Sequence, residues 1–165
     1  MKKLILAGLV FALLSLGCTA QTSQHFVISG SAAGYGGTQA VSIEGAGFQL
    51  SSNVSLAYAR ISNPADSKYP VYNLGDVNYT RELRALIGKK LASKLAFDTT
   101  NWLVTFQASG GKVTAPGISH VAEGAGIYIS RPVANNLQVT SGFRVLHGLG
   151  NTLVKVPSVG LNVTF

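Results

Sequence analysis

Three histidines, His25, His120 and His147, are the side chains best suited to moving protons near neutral pH. None has an obvious nucleophile beside it. Ser119 directly precedes His120, but neighbours along a strand point to opposite faces, so the two are badly placed as nucleophile and base. His25 reads as a solvated residue near the start of the mature chain. The histidines are far apart, and the single cysteine, Cys18, lies in a segment expected to be removed or lipidated, so no metal-ligand spacing arises. Gly45-Ala46-Gly47 lacks the strand-to-helix setting of a phosphate loop. Lys89, Lys90 and Lys94 form the one basic cluster, read as a solvated turn. Arg60, Arg84, Arg144, Glu82 and Glu123 are candidates for ion pairs inside a fold, where a charge must be paired. Glu44 and Glu123 share the parity of Ala46 and Ala125, which leaves an outward position at a rim open for both. No catalytic, cofactor-binding or metal-ligating residue is assigned. No cofactor and no enzymatic activity are expected.

The elements that would position these residues begin after a leader. Lys2 and Lys3 precede an apolar run over residues 4–16, and Gly17, Cys18, Thr19 and Ala20 are all small. This is the order of zones in a secretory signal. The run is too short for a membrane-spanning helix, which needs about 20 residues. Residues 1–20 are therefore expected to be a cleaved signal, with Cys18 and Ala20 as the small pair before the cut. Leu14-Ser15-Leu16-Gly17-Cys18 also resembles a lipoprotein box, although Ser15 stands where such a box usually has Leu. Removal and lipidation of Cys18 both stay open, and neither leaves a disulfide.

Residues 21–165 read as one domain. Without Lys2 and Lys3, the eleven remaining basic residues outnumber the six acidic ones by five. Export argues against nucleic acid as the partner of this excess. Charged residues make up 12% of the chain, against about 25% in soluble domains. That is too little charge to cover a soluble surface, and after the leader no apolar run is long enough for a transmembrane helix. A closed β-barrel is the other way to satisfy every backbone group in a membrane.

Period-2 alternation supports it. Eight strands are expected, over residues 26–35, 39–50, 54–62, 76–87, 101–109, 120–133, 137–146 and 154–165. Residues 63–74, 110–119 and 148–151 are read as loops on one side, and 51–53, 88–93 and 134–136 as short turns on the other. Residues 81–94 fit a short amphipathic helix equally well, since Leu83, Leu86, Ile87 and Leu91 have helical spacing. The faces are clearest late in the chain. Leu137, Val139, Phe143 and Val145 alternate with Gln138, Thr140, Gly142 and Arg144. Trp102, Val104, Phe106 and Ala108 alternate with Leu103, Thr105, Gln107 and Ser109. A lipocalin-like carrier of apolar ligands would turn the apolar faces inward. Faces of Ser, Thr, Asn, Gln and Gly cover a soluble barrel poorly but suit a narrow polar interior. Ile43-Glu44-Gly45-Ala46-Gly47-Phe48 echoes Ala122-Glu123-Gly124-Ala125-Gly126-Ile127, as a doubled barrel would. The many glycines fit positions where strands bend around a small barrel.

The chain's last residues carry a resemblance. Val159, Leu161, Val163 and Phe165 occupy alternate positions and end on an aromatic. This resembles the C-terminal signature of small bacterial outer-membrane β-barrel proteins, which the assembly machinery reads on the final strand. The resemblance implies an all-β, antiparallel, up-and-down transmembrane barrel of about eight strands in the outer membrane of a Gram-negative bacterium. It implies outer-membrane lipid, the barrel assembly machinery and periplasmic chaperones as partners, and a monomer. An even strand count puts both ends of the barrel chain on the periplasmic side, with Trp102 at the periplasmic headgroups and Tyr35 near the outer interface. An eight-stranded barrel is filled by its own side chains and is not an open pore. The expected role is structural or surface-interactive. An alternative is a lipid-modifying enzyme. The stretch around His147 dimly resembles the outer-membrane lipid A deacylases, which place a Ser two residues from a His, but Leu149 occupies that position here.

Overall fold

The computed structural model describes residues 26–35, 39–63, 66, 68–148 and 153–164, with side chains from residue 42 onward. The expected leader with Cys18, and also His25, Leu149 and Phe165, lie outside the described residues. Eight antiparallel strands form one sheet: β1 (Phe26–Tyr35), β2 (Gln39–Gln49), β3 (Val54–Ser62), β4 (Val71–Glu82), β5 (Leu103–Ala115), β6 (Ile118–Ala134), β7 (Leu137–His147) and β8 (Leu153–Thr164). Each strand pairs with the next, and β8 returns to pair with β1, so the sheet closes on itself without an edge. We call the end where β1 begins and β8 finishes the lower end.

Alternation explains the walls. Opposed residues in a sheet share a face, so register carries one parity around the barrel. Asp76 opposes Ala57 on one side and Ser109 on the other. Gly126 opposes both Gln107 and Arg144, and Arg144 in turn opposes Val156. All of these face inward.

Several boundaries differ from the expected ones. Strand four begins at Val71, inside the segment read as a loop, and ends at Glu82. Residues 110–119 are not a loop. β5 runs on to Ala115, and β6 starts at Ile118 after a turn at Pro116 and Gly117. Gly117 has φ 74°, the left-handed value that the third position of a Pro-Gly type II turn requires. The Gly110-Gly111 pair looked like a loop signal, yet it lies within the ladder. A Cβ on Gly111 would meet the Asn73 carbonyl oxygen and the Leu74 Cα at 2.9 Å, so only glycine lets β4 and β5 approach there. Residues 81–94 follow the helical alternative. After Glu82 come two short helical turns, α1 (Leu83–Ile87) and α2 (Lys89–Ala92), and strand five starts only at Leu103. The turn expected at 88–93 is thus part of a longer connection over 83–102. It is the longest connection at the lower end, where short turns were expected.

The interior changes along its length. Its upper part is apolar. Tyr72, Ile61, Leu74, Leu146, Val113 and Val156 are the largest fully buried side chains and belong to one cluster. Burying a side chain of this size from water contributes about 1.5–3 kcal/mol.

Candidate functional site

Below the apolar cluster the inward positions turn polar and converge on one ion pair. Arg144 on β7 donates from Nη2 to Oδ2 of Asp76 on β4 at 2.8 Å, and both residues are only 3% exposed. The strands are not neighbours, so the bridge spans the barrel lumen. Arg144 Nε donates to the Tyr128 hydroxyl at 3.2 Å. Gln107 Nε2 lies 3.1 Å from Asp76 Oδ2 and 2.9 Å from Asn78 Oδ1 and donates to both. Further down, the Thr80 and Thr105 hydroxyls meet at 2.8 Å, and Asn78 Nδ2 reaches Ser55 Oγ at 3.4 Å. Pairing and hydrogen bonding are what make two charges tolerable in such a place.

Small residues make room for this network. Gly126 and Gly142 flank Tyr128, and a Cβ on Gly142 would lie 2.7 Å from the Tyr128 ring. Below the ion pair opens a cavity of about 480 Å³, bordered by Gln107, Ser130, Gln138, Thr140 and Asn162 and reaching the lower rim at Ser52 and Asn53. Asp76 Oδ1, Gln107 Oε1 and Arg144 Nη1 have no protein partner among the described residues. The arrangement holds a fixed, neutralised charge pair above a cavity lined by both polar and apolar side chains.

The outer wall is the reverse. Reading outward positions from β2 to β8, Ala46 and Phe48 are followed by Val54, Leu56 and Tyr58, then Gly75, Val77 and Tyr79. Val104, Phe106, Ala108 and Gly110 come next, then Ala125, Ile127 and Ile129, then Leu137, Val139, Ser141, Phe143 and Val145. Pro157, Val159, Leu161 and Val163 complete the circuit on β8. Ser141 is the one hydroxyl amino acid in this band apart from the two tyrosines. Charges bound it: Glu44, Arg60, Lys112, Glu123 and Lys155 above, Arg81 and Arg131 below. Glu123 and Arg131 are eight residues apart on β6, or roughly 27 Å of strand and about 20 Å of height at a usual barrel tilt.

The lower margin carries a small aromatic assembly. Trp102 meets Phe97 edge-on at 5.9 Å between ring centroids, and the Arg131 guanidinium carbon lies 5.7 Å from the Trp102 ring centroid. The Asp98 carboxyl sits below its ordinary pKa because the Thr100 hydroxyl and backbone N–H bond to it, with Arg131 and Arg84 adding to the effect.

The candidates from sequence separate cleanly. Of the expected interior charges, only Arg144 is inside. Arg60 and Glu123 are exposed on outward positions, as is Glu44, which opposes Arg60 across β2 and β3. Arg84 is exposed on α1, and Glu82 is exposed at the foot of β4. The missed partner is Asp76, which looked like a strand start next to a loop. The alternation Tyr72, Leu74, Asp76, Asn78, Thr80 is the signal that identifies it as an inward mid-strand residue. His147 stands on the outer face opposite Glu123 and Leu153. Ser119 and His120 take opposite faces. Val159, Leu161 and Val163 all point outward on the closing strand, with Val159 60% exposed. Of Tyr35, only the backbone pairing with Gln39 is described.

No protein-family model matches the chain, and no curated protein is similar to it in sequence. Solved structures do match in shape. A de novo designed transmembrane β-barrel is 13% identical, with 89% of this chain and 100% of that chain covered and a TM-score of 0.58. The N-terminal β-barrel domain of Pseudomonas aeruginosa OprF is 13% identical, with 88% and 100% covered and a TM-score of 0.53. The chain therefore has the fold of a small transmembrane β-barrel.

Proposed function

We propose that this chain is an integral outer-membrane β-barrel of a Gram-negative bacterium, a monomer with a structural or surface-interactive role rather than an open pore or an enzyme. The observation that carries the reading is the continuous apolar band on the outward positions of β2 to β8. Inside it lie a buried charge pair and a network of polar side chains: Gln107, Asn78, Thr80 and Thr105. A carrier of apolar ligands needs the opposite arrangement, whereas a barrel in lipid needs this one. The upper interior is filled by the apolar cluster, which supports a role other than conduction. The residue two places after His147 is Leu149, which has no hydroxyl to act as a nucleophile. That supports a non-enzymatic role.

On this reading the lower end faces the periplasm, and Val159, Leu161, Val163 and Phe165 are the segment that the assembly machinery reads. Outer-membrane lipid, that machinery and periplasmic chaperones are its partners. The test is electrophoresis of the outer-membrane fraction with and without boiling. A closed barrel resists detergent until heated, so its mobility should shift on boiling. Deleting Phe165 should lower the fraction that shifts. A chain recovered from the periplasm without membranes, with one mobility in both lanes, would overturn the reading.

A further inference from the structure

The connection over residues 83–102 is unlike anything else at the lower end. With Arg81 and Glu82 before it, it carries five cations (Arg81, Arg84, Lys89, Lys90, Lys94) and two anions (Glu82, Asp98). It also exposes large apolar side chains where a solvated turn would have none. Leu91 is 52% exposed and Phe97 50%, and Leu86 and Leu95 are exposed too. α1 and α2 bury a single side chain between them, that of Ala92. Their leucines are thus not tucked into the barrel.

The far end of the segment rests on the outer wall. Phe97 packs against Trp102, Trp102 lies beside Arg131, and Arg131 occupies an outward position on β6. The segment is therefore continuous with the lower margin of the apolar band. Leucines and lysines together at a bilayer margin have a plain physical use. The apolar groups enter the boundary between headgroups and acyl chains, and the cations meet negative headgroups.

We infer that residues 83–98 dock on the leaflet at the lower end of the barrel and bind its anionic phospholipid headgroups. The apolar side chains Leu86, Leu91, Leu95 and Phe97 enter the leaflet, and Lys89, Lys90 and Lys94 take the phosphates. This rests on the membrane reading above. It also replaces the solvated-turn reading of the lysines.

The test places a polarity-sensitive fluorophore on Leu91→Cys in a Cys18→Ser chain, Cys18 being the sole cysteine. A second chain carries it on Ser93→Cys, so that loss of Leu91 is not the cause of any result. Each is reconstituted in nanodiscs of phosphatidylcholine, with and without an equal part of phosphatidylglycerol, and quenched with acrylamide. The expected result is blue-shifted emission and protection from quenching in the anionic discs only. The docked-to-free ratio should fall by about fivefold for each lysine changed to Gln in a Lys89→Gln/Lys90→Gln/Lys94→Gln series. Equal quenching in both lipids, or full protection of the triple variant, would overturn the inference. The same samples run unboiled report the barrel. A heat-shifting barrel with an exposed label means that docking alone is wrong. A chain that does not shift means that the membrane reading is wrong, and docking falls with it.

Discussion

The upper and lower halves of the lumen are built from the same strands and the same parity, yet they are filled by different physics. Above Arg144 the inward residues include Ile61, Tyr72, Leu74, Val113 and Leu146, fully buried in one cluster. Below it they are Asn78, Thr80, Thr105, Ser130, Gln138 and Asn162 around a cavity of about 480 Å³. The upper half is held by close packing, which is lost whenever volume is removed. The lower half is held by hydrogen bonds whose partners water can replace, so each contributes less. The Asp76–Arg144 pair sits at the boundary, with apolar side chains on one side and polar ones on the other. A barrel of this width can thus be filled by apolar side chains over part of its height and hold a cavity over the rest.

The comparison can be broken most severely at the boundary. Arg144→Met leaves Asp76 buried without its cation and should cost about 3–5 kcal/mol. The double variant Asp76→Leu/Arg144→Met should recover most of that loss, since an apolar replacement of a buried pair is often neutral. Urea unfolding of the reconstituted barrel measures both. If the double variant is as unstable as the single one, the pair does more than neutralise itself.

A step smaller is the contrast between the halves. Leu146→Ala above the pair should cost about 3 kcal/mol, because the rigid cluster cannot close the cavity left behind. Thr140→Ala below it should cost about 1 kcal/mol or less, since water takes over a hydroxyl's role in the cavity. Equal losses at the two sites would mean that the lower half is packed as tightly as the upper.

The outer band offers a similar contrast. Ile127→Lys, near the middle of the band, should cost roughly 2–4 kcal/mol in lipid, and Val121→Lys at the upper rim about 0–1 kcal/mol. Val121 is already 79% exposed beyond the apolar stretch. An equal cost at both positions would argue against a lipid-facing band.

The smallest effect lies outside the barrel wall. The Asp98 carboxyl is stabilised in its charged form by Thr100, so its folded pKa is below the unfolded one. The contribution is present above the unfolded pKa and lost as pH falls through the folded value. In an NMR titration the Asp98 midpoint should lie below that of an ordinary aspartate, and Thr100→Val should move it upward. An unmoved midpoint would mean that the Thr100 hydroxyl does not hold the carboxylate. Global stability should hardly change, because Asp98 is fully solvated.

Much of the wall was legible in the sequence. Parity on β5, β7 and β8 follows from period-2 alternation, which is a local property of each strand, and low charge turned the apolar parity outward. Strand ends were less legible. Gly110-Gly111 and Pro116-Gly117 both read as loop signals, and only the second is a turn. The same dipeptides serve a close approach of strands and a reversal of the chain, and the neighbour across the ladder decides between them. Residues 81–94 carried both periods, and the helical one prevailed where β4 runs out of partners.

The ion pair could not be read at all from one dimension. Asp76 and Arg144 are 68 residues apart, on β4 and β7, which do not pair. Alternation says that each faces inward once its strand is placed. Which inward residues stand at one height depends on the stagger of the intervening strands, and no single strand contains that stagger. The amino-acid sequence by itself determined a barrel with apolar outward faces, because side-chain direction repeats every two residues and too few charges are present to cover a soluble surface. Closure and register decided that Asp76 meets Arg144, that an apolar cluster fills the lumen above them, and that Trp102, packed on Phe97, meets Arg131 at the lower margin of the wall.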